Sequence, residues 1–194
     1  FANYLERYEE DITFPAVVLT VSWGHTEIYL WKSMFDLDMI GQTRDDAAGE
    51  CFDKVAKMMW LGFPGWAKIA RLAEEHRKEL REGDISTKRL FPEVLLEKDS
   101  LDFSFSGLKT AVKREIDREI VKNWILSPEF QQYIAYEFEE TATDILSKKL
   151  IRAIEATWAT QMMLAGGVSA NTVLKGKLMK LANDRNIRFL APTK

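Results

Sequence analysis

No stretch constrains the fold of this chain more than Phe14 to Trp31, FPAVVLTVSWGHTEIYLW, where two apolar, β-branched runs lie on either side of a four-residue break. Ala16 to Val21 is a near-continuous apolar run of strand length, and Thr26 to Leu30 alternates polar and apolar residues. That pattern predicts a β-hairpin with a central first strand and a half-buried second one. Ser22, Trp23, Gly24 and His25 fill the break. A tight turn of this composition has two readings: an ordinary hairpin turn, or a nest of inward-pointing N–H groups that binds phosphate without a charged side chain. Trp23 weighs toward the first, because an indole obstructs the close approach that a phosphate nest exists to permit.

With 194 residues, 46% hydrophobic and 29% charged, the chain can build one substantial core or one large lobe of a bigger protein. It has 10 glycines and 5 prolines, and no apolar run approaches the ~18 residues of a membrane span, which predicts a soluble globular domain. The opening FANYLERYEED lacks the basic start and apolar centre of a signal peptide, and the sole cysteine, Cys51, has no partner for an internal disulfide. A reducing, cytoplasmic setting is the expectation. The net charge of −3 speaks against a broad nucleic-acid-binding face but leaves a local basic patch open. Both ends read as cut: residues 1–13 as the remnant of a preceding segment, and Ile187 to Ala191 as a strand followed only by Pro-Thr-Lys. Lys78 to Leu90 reads as a surface loop.

After the hairpin, Thr43-Arg-Asp-Asp46 has the form of a capping box and predicts a helix to about Met59. Ala48, Phe52, Val55 and Met59 share one face of it; Asp46, Glu50, Asp53 and Lys57 share the opposite one. That second face is either a solvated stripe with an Asp53–Lys57 pair, or a row of carboxylates lining a cleft where an acid holds a ribose hydroxyl or a Mg²⁺-bound water. A Gly-Phe-Pro-Gly turn separates this helix from another over Ala67 to Leu80. Leu101 to Ser106 alternates before a helix that Ser106 can cap, and Lys109, Lys113 and Arg114 offer a small basic patch on it that Glu115, Asp117 and Glu119 dilute. Ser127-Pro128-Glu129 opens a long helix to about Ala156. Gln161 to Leu164 is then a buried strand, followed by the glycine loop Ala165-Gly-Gly-Val-Ser-Ala-Asn171, a helix to about Asn183 and the Ile187 strand. Such a loop places amides and a helix N-terminus at the carboxyl end of a strand, where open α/β sheets hold nucleotides; it is equally a tight turn in which Ser169 or Asn171 caps the helix.

VSWGHT at Val21 to Thr26, DDAAGECFDKVAKMM at Asp45 to Met59, LGFPGW at Leu61 to Trp66, LDFSFSGLKTAVK at Leu101 to Lys113 and LAGGVSAN at Leu164 to Asn171 occur in this order. Together these blocks closely resemble the TsaD-type tRNA threonylcarbamoyladenosine transferases, which also carry the older label of O-sialoglycoprotein endopeptidases or glycoproteases. The resemblance covers about residues 14 to 191. It implies an α/β, actin-like ATPase fold (ASKHA, RNase H-like), with residues 14–194 as an incomplete second lobe. It also implies transfer of a threonylcarbamoyl group from its ATP-derived adenylate to the adenosine next to the anticodon of ANN-decoding tRNAs, with tRNA and a complex of partner proteins but no membrane. Family positions for nucleotide or substrate fall on Thr20, Val21, Ser22, Trp23 and Gly24, on Asp53, on Trp66, and on Gly166, Gly167 and Asn171. In that setting the turn amides and Asn171 orient the adenylate, and Asp53 binds a ligand hydroxyl rather than acting as a base.

Two departures qualify the resemblance. The family's metal, Fe or Zn, is held by a histidine pair upstream of the first block and by an aspartate downstream of the last strand, and neither is in this sequence. The expectation is one divalent metal in the full-length parent and none here, with an isolated chain that binds adenylate weakly or not at all. A peptidase reading finds no HExxH and no candidate base beside Cys51; a non-catalytic, partner-binding lobe is the other alternative.

The second departure is tryptophan. Trp23, Trp60, Trp66 and Trp158 stand where the family shows glycine, whereas Trp31 and Trp124 do not. In some bacterial lineages UGA means glycine, and in other codes tryptophan. A gene of the first kind read by the second rule would show this pattern, with UGG at 31 and 124. Trp23 and Trp66 should then fill part of the pocket, and Trp60 and Trp158 should strain the elements they flank.

Overall fold

The computed structural model describes residues 12–80, 89–93, 97 and 99–192. Residues 1–11 and 81–88 lie outside that set, and with them most of the N-terminal remnant and of the surface loop expected after Lys78.

Five strands form one mixed sheet in the order β3-β2-β1-β4-β5: β1 Ala16–Val21, β2 Thr26–Ser33, β3 Asp36–Gln42, β4 Gln161–Ala165 and β5 Arg188–Leu190. The hairpin is present and β1 is central, as its apolar run requires. Val17, Leu19 and Val21 enter one buried cluster while Ala16 and Val18 enter the other, so both faces of β1 are covered. β2 alternates buried and half-buried residues and pairs antiparallel with both β1 and β3. β3 is a largely exposed edge strand that sequence patterning did not reveal.

Among the described residues, five α-helices accompany the sheet: α1 Ala48–Met58, α2 Gly65–Glu79, α3 Ser106–Asn123, α4 Pro128–Thr157 and α5 Thr172–Arg185. The 30-residue α4 begins as expected, with the Ser127 hydroxyl accepting from the Phe130 amide at 3.2 Å. Its Ile134, Phe138 and Ile145 are fully buried, and Phe138 meets Phe52 of α1 edge-to-face at 4.7 Å. β4, the glycine loop, α5 and β5 form the anticipated strand, loop, helix, strand unit, with β4 and β5 parallel.

Two expected caps are replaced by contacts from far along the chain. Thr43 does not cap α1: its hydroxyl donates to the Asp46 carbonyl at 2.8 Å, and the Ala48 amide donates instead to Thr26 Oγ1 at 2.8 Å. Ser106 does not cap α3 either; Asp45 accepts from the Phe105 amide at 2.8 Å and from the Ser104 hydroxyl. Two members of the diluted basic patch on α3 are likewise engaged in ion pairs, Lys109 with Asp46 and Lys113 with Asp117.

The topology decides where a site can form. β1 and β4 are parallel, and β3 runs in the direction of β1 because two antiparallel pairings separate them. The β1–β2 turn, the start of α1 after β3 and the glycine loop after β4 therefore all leave from one edge of the sheet. That edge, at the carboxyl ends of parallel strands, is where open α/β sheets hold their ligands.

Candidate functional site

The β1–β2 turn lies on the first turn of α1. The amides of Gly49 and Glu50 donate to the carbonyls of Ser22 (3.3 Å) and Trp23 (3.1 Å). A Cβ on Gly49 would sit 2.7 Å from the Ser22 oxygen, so this approach requires glycine. Within the turn, the Ser22 amide donates to the His25 carbonyl at 2.8 Å and the His25 amide to Ser22 Oγ at 3.0 Å. Two of the amides expected to form an anion nest are thus consumed by the turn itself. Thr20, one strand position before Val21, keeps a buried hydroxyl with no hydrogen-bond partner among the described residues.

Asp53 is at the centre. Its Oδ1 accepts from the Gly65 amide at 2.7 Å, joining α1 to the start of α2, and its Oδ2 accepts from Trp23 Nε1 at 2.9 Å. The carboxylate goes to these donors and not to Lys57; Lys54 instead bridges Asp46 (2.6 Å) and Glu50 (2.9 Å). The polar face of α1 therefore lines a cleft.

Two cavities flank this pair. One of about 300 Å³ is lined by Trp23, Gly49, Asp53, Phe63, Pro64, Trp66, Gly167 and Val168. The other, about 440 Å³, is bounded by Trp23, Asp53 and Phe63 together with Glu50, Lys54, Lys57 and Gly62. Trp23, Asp53 and Phe63 belong to both, so the indole stands between them. Phe63 and Pro64 come from the Gly-Phe-Pro-Gly turn, which sequence reading treated as a mere connection.

The glycine loop closes the smaller cavity from the sheet side. Gly166 has φ +90°, and a Cβ there would lie 2.3 Å from the Val21 carbonyl, so the loop can press against the end of β1 only with glycine. Asn171 does not line the cavity. It is buried, its Oδ1 caps α5 by accepting from the Leu174 amide at 2.8 Å, and its Nδ2 donates to Glu139 Oε1 at 2.7 Å. Burial raises the affinity of Glu139 for a proton, against the opposing hydrogen bonds of Arg77 and Asn171.

Asp46 stays ionised. Its burial disfavours the charge, but hydrogen bonds from Lys109 and Lys54 outweigh that and hold the carboxyl below its ordinary range. Cys51 is the opposite case, since burial, reinforced by the charge of Asp46, pushes its thiol up to about 12. A thiol so placed is no nucleophile at neutral pH. Among the described residues no group of three or more His, Cys, Asp or Glu converges to hold a metal, so the residues present do not fit an Fe or Zn ion. No helix among them is long and apolar enough to cross a membrane.

The tryptophans fall into distinct backbone states. Trp60 and Trp158 have φ of 60° and 55°, in the left-handed region that glycine adopts freely, and both are exposed. An L-residue there costs about 1–2 kcal/mol. Trp124, which sequence comparison set aside with Trp31, has φ 62° and belongs with them. Trp23 and Trp66 have ordinary backbone and instead present their indoles to the smaller cavity.

These features define an α/β protein with a loop-lined cavity at the carboxyl edge of a mixed sheet. The family model for tRNA N6-adenosine threonylcarbamoyltransferase (TsaD) matches residues 2–194, and the chain belongs to that family, whose architecture is the actin-like ATPase fold. It is 39% identical over 193 residues to the tRNA N6-adenosine threonylcarbamoyltransferase of Staphylococcus haemolyticus and 37% identical over 190 residues to that of Staphylococcus carnosus. These alignments cover 100% and 98% of this chain and 52% of each relative, so the chain spans about half their length. Among solved structures it is similar to the activator of the 2-hydroxyisocaproyl-CoA dehydratase from Clostridium difficile, with a TM-score of 0.46 and 12% identity over 93% of this chain and 55% of that one.

Proposed function

We propose that this chain is the second lobe of a tRNA-modifying transferase, and that the cavity between Trp23, Asp53, position 66 and Gly167 is its share of the site for threonylcarbamoyl-adenylate. The observation that carries the reading is convergence: Trp23, Asp53, Trp66 and Gly167, one residue from each of four segments that sequence resemblance assigns to one ligand, line one cavity. Asp53 supplies a fixed acceptor for a ligand hydroxyl, positioned by the Gly65 amide. The turn and the glycine loop supply backbone on either side of it. The N6 amine of the tRNA adenosine then attacks the carbamoyl carbon, the C–O bond to the phosphate breaks, and AMP leaves with that electron pair while the amine proton passes to the departing phosphate; this lobe contributes ligand positioning rather than a proton acceptor.

The longer protein, with glycine at 23 and 66, should form threonylcarbamoyladenosine when given the adenylate, an ANN-decoding tRNA and its partner proteins. Nucleoside mass spectrometry of the tRNA reads the product, and unmodified adenosine in every such tRNA would overturn the proposal.

A further inference from the structure

Four described helices end on a residue in the left-handed region, and glycine occupies none of those ends. Three carry tryptophan: Trp60 after α1, Trp124 after α3 and Trp158 after α4. The fourth, Asn186 after α5, carries a residue that tolerates this conformation. Tryptophan does not, and glycine is the usual occupant of this position.

The ends of α1 and α5 make the contrast direct, because both close with the same pair of hydrogen bonds. After α1, the Leu61 amide donates to the Ala56 carbonyl at 2.9 Å and the Trp60 amide to Lys57 at 3.1 Å. After α5, the Ile187 amide donates to Ala182 at 2.9 Å and the Asn186 amide to Asn183 at 3.2 Å. This is the Schellman closure, which fixes the residue after the cap in left-handed geometry. Trp124 closes α3 with the related single bond, its amide donating to the Ile120 carbonyl at 2.8 Å.

Packing does not compensate. Trp60, Trp124 and Trp158 are 63%, 89% and 86% exposed, so their indoles gain little from burial. Trp31 is the counterexample within the same chain: it is 3% exposed, lies in extended β2 and meets the Phe14 ring edge-to-face at 5.3 Å. That position needs a large aromatic side chain; the other three need an absent one.

We infer that positions 60, 124 and 158 are glycine in the protein as its own cells make it, encoded by UGA read as glycine, while Trp31 is a true tryptophan encoded by UGG. Backbone geometry carries the three glycine assignments, and the appearance of the same wrong residue, tryptophan, at all three carries the UGA reading; neither depends on the proposed function. The geometry also revises the expectation at 124, where comparison of sequence blocks left tryptophan in place.

The codons of the source gene give the first test. UGA at 60, 124 and 158 with UGG at 31 is the expected result; UGG at any of those three positions, or UGA at 31, overturns the inference. Thermal unfolding of the expressed chain gives a second. Trp60→Gly, Trp124→Gly and Trp158→Gly should each raise the midpoint by about 2–4 °C, whereas Trp31→Gly should lower it. A midpoint unchanged or lowered in the first three variants would contradict the inference whatever the codons are.

Discussion

Trp23 Nε1 donates to Asp53 Oδ2 at 2.9 Å, and this bond occupies the one carboxylate oxygen that the scaffold does not itself require. The other oxygen holds the Gly65 amide at 2.7 Å and so ties α1 to α2. Asp53 is thus a structural acceptor on one side, and on the other it turns toward the indole the oxygen that, in the proposed site, a ligand hydroxyl would take.

Asp53→Ala removes the acceptor from the Gly65 amide in a part-buried contact and should cost about 1–3 kcal/mol. Denaturant unfolding measures this directly. Asp53→Asn, which keeps a carbonyl oxygen for the amide, should recover much of the loss.

Gly166→Ala should be more damaging than its single methyl suggests. The added Cβ would lie 2.3 Å from the Val21 carbonyl, on a backbone with φ +90°. We expect at least about 2 kcal/mol of destabilisation. Gly167→Ala is the control, since a Cβ there meets nothing within 4 Å. Equal midpoints for the two variants would contradict this packing.

Acid should loosen the junction of α1 and α3. Asp45 and Asp46 are both held below the ordinary carboxylate range. Burial opposes ionisation at both; the Ser104 hydroxyl and the Phe105 amide outweigh it at Asp45, as Lys109 and Lys54 do at Asp46. A depressed folded-state value stabilises the fold above the unfolded value and is lost as pH falls through the folded one. The contribution should therefore be complete above pH about 4–5 and fade below it. Asp46→Asn should flatten that part of the stability profile, measured by denaturant unfolding at a series of pH values. Glu139, raised by burial, has the opposite sign and favours the folded state most when protonated.

The purified chain should carry no stoichiometric metal. Its described residues offer no convergent set of His, Cys, Asp or Glu ligands. Elemental analysis after gentle purification should find far less than one Fe or Zn per chain; one tightly held ion would contradict this.

What sequence disclosed depended on how local each signal was. The apolar run of β1, and Ser127 with Pro128 at the start of α4, rest on neighbouring residues, and both elements lie where patterning puts them. β3 was missed because the alternation in Asp36-Leu37-Asp38-Met39 spans only four residues, and its apolar members stay exposed on an edge instead of marking a buried face. The caps of α1 and α3 were misassigned because Thr26 and Asp45 act across 22 and 60 residues, beyond any local motif. At the candidate site, motif resemblance located the segments, but the geometry separates their tasks: Asp53 and Gly167 line the cavity, whereas Asn171 turns inward to Glu139 and the α5 amide. Phe63 and Pro64 carried no chemical signal, because their role is to shape a wall.

The central claim, an adenylate site obstructed by tryptophan at glycine positions, is tested most directly by calorimetric titration with a non-hydrolysable threonylcarbamoyl-adenylate analogue. Two forms of the full-length protein are compared, one with Trp and one with Gly at positions 23 and 66. The glycine form should bind and the tryptophan form should bind little or not at all, because removing the Trp23 indole frees Asp53 Oδ2 and joins the two cavities it borders. Equal affinity in the two forms, or no binding by the glycine form, would contradict it.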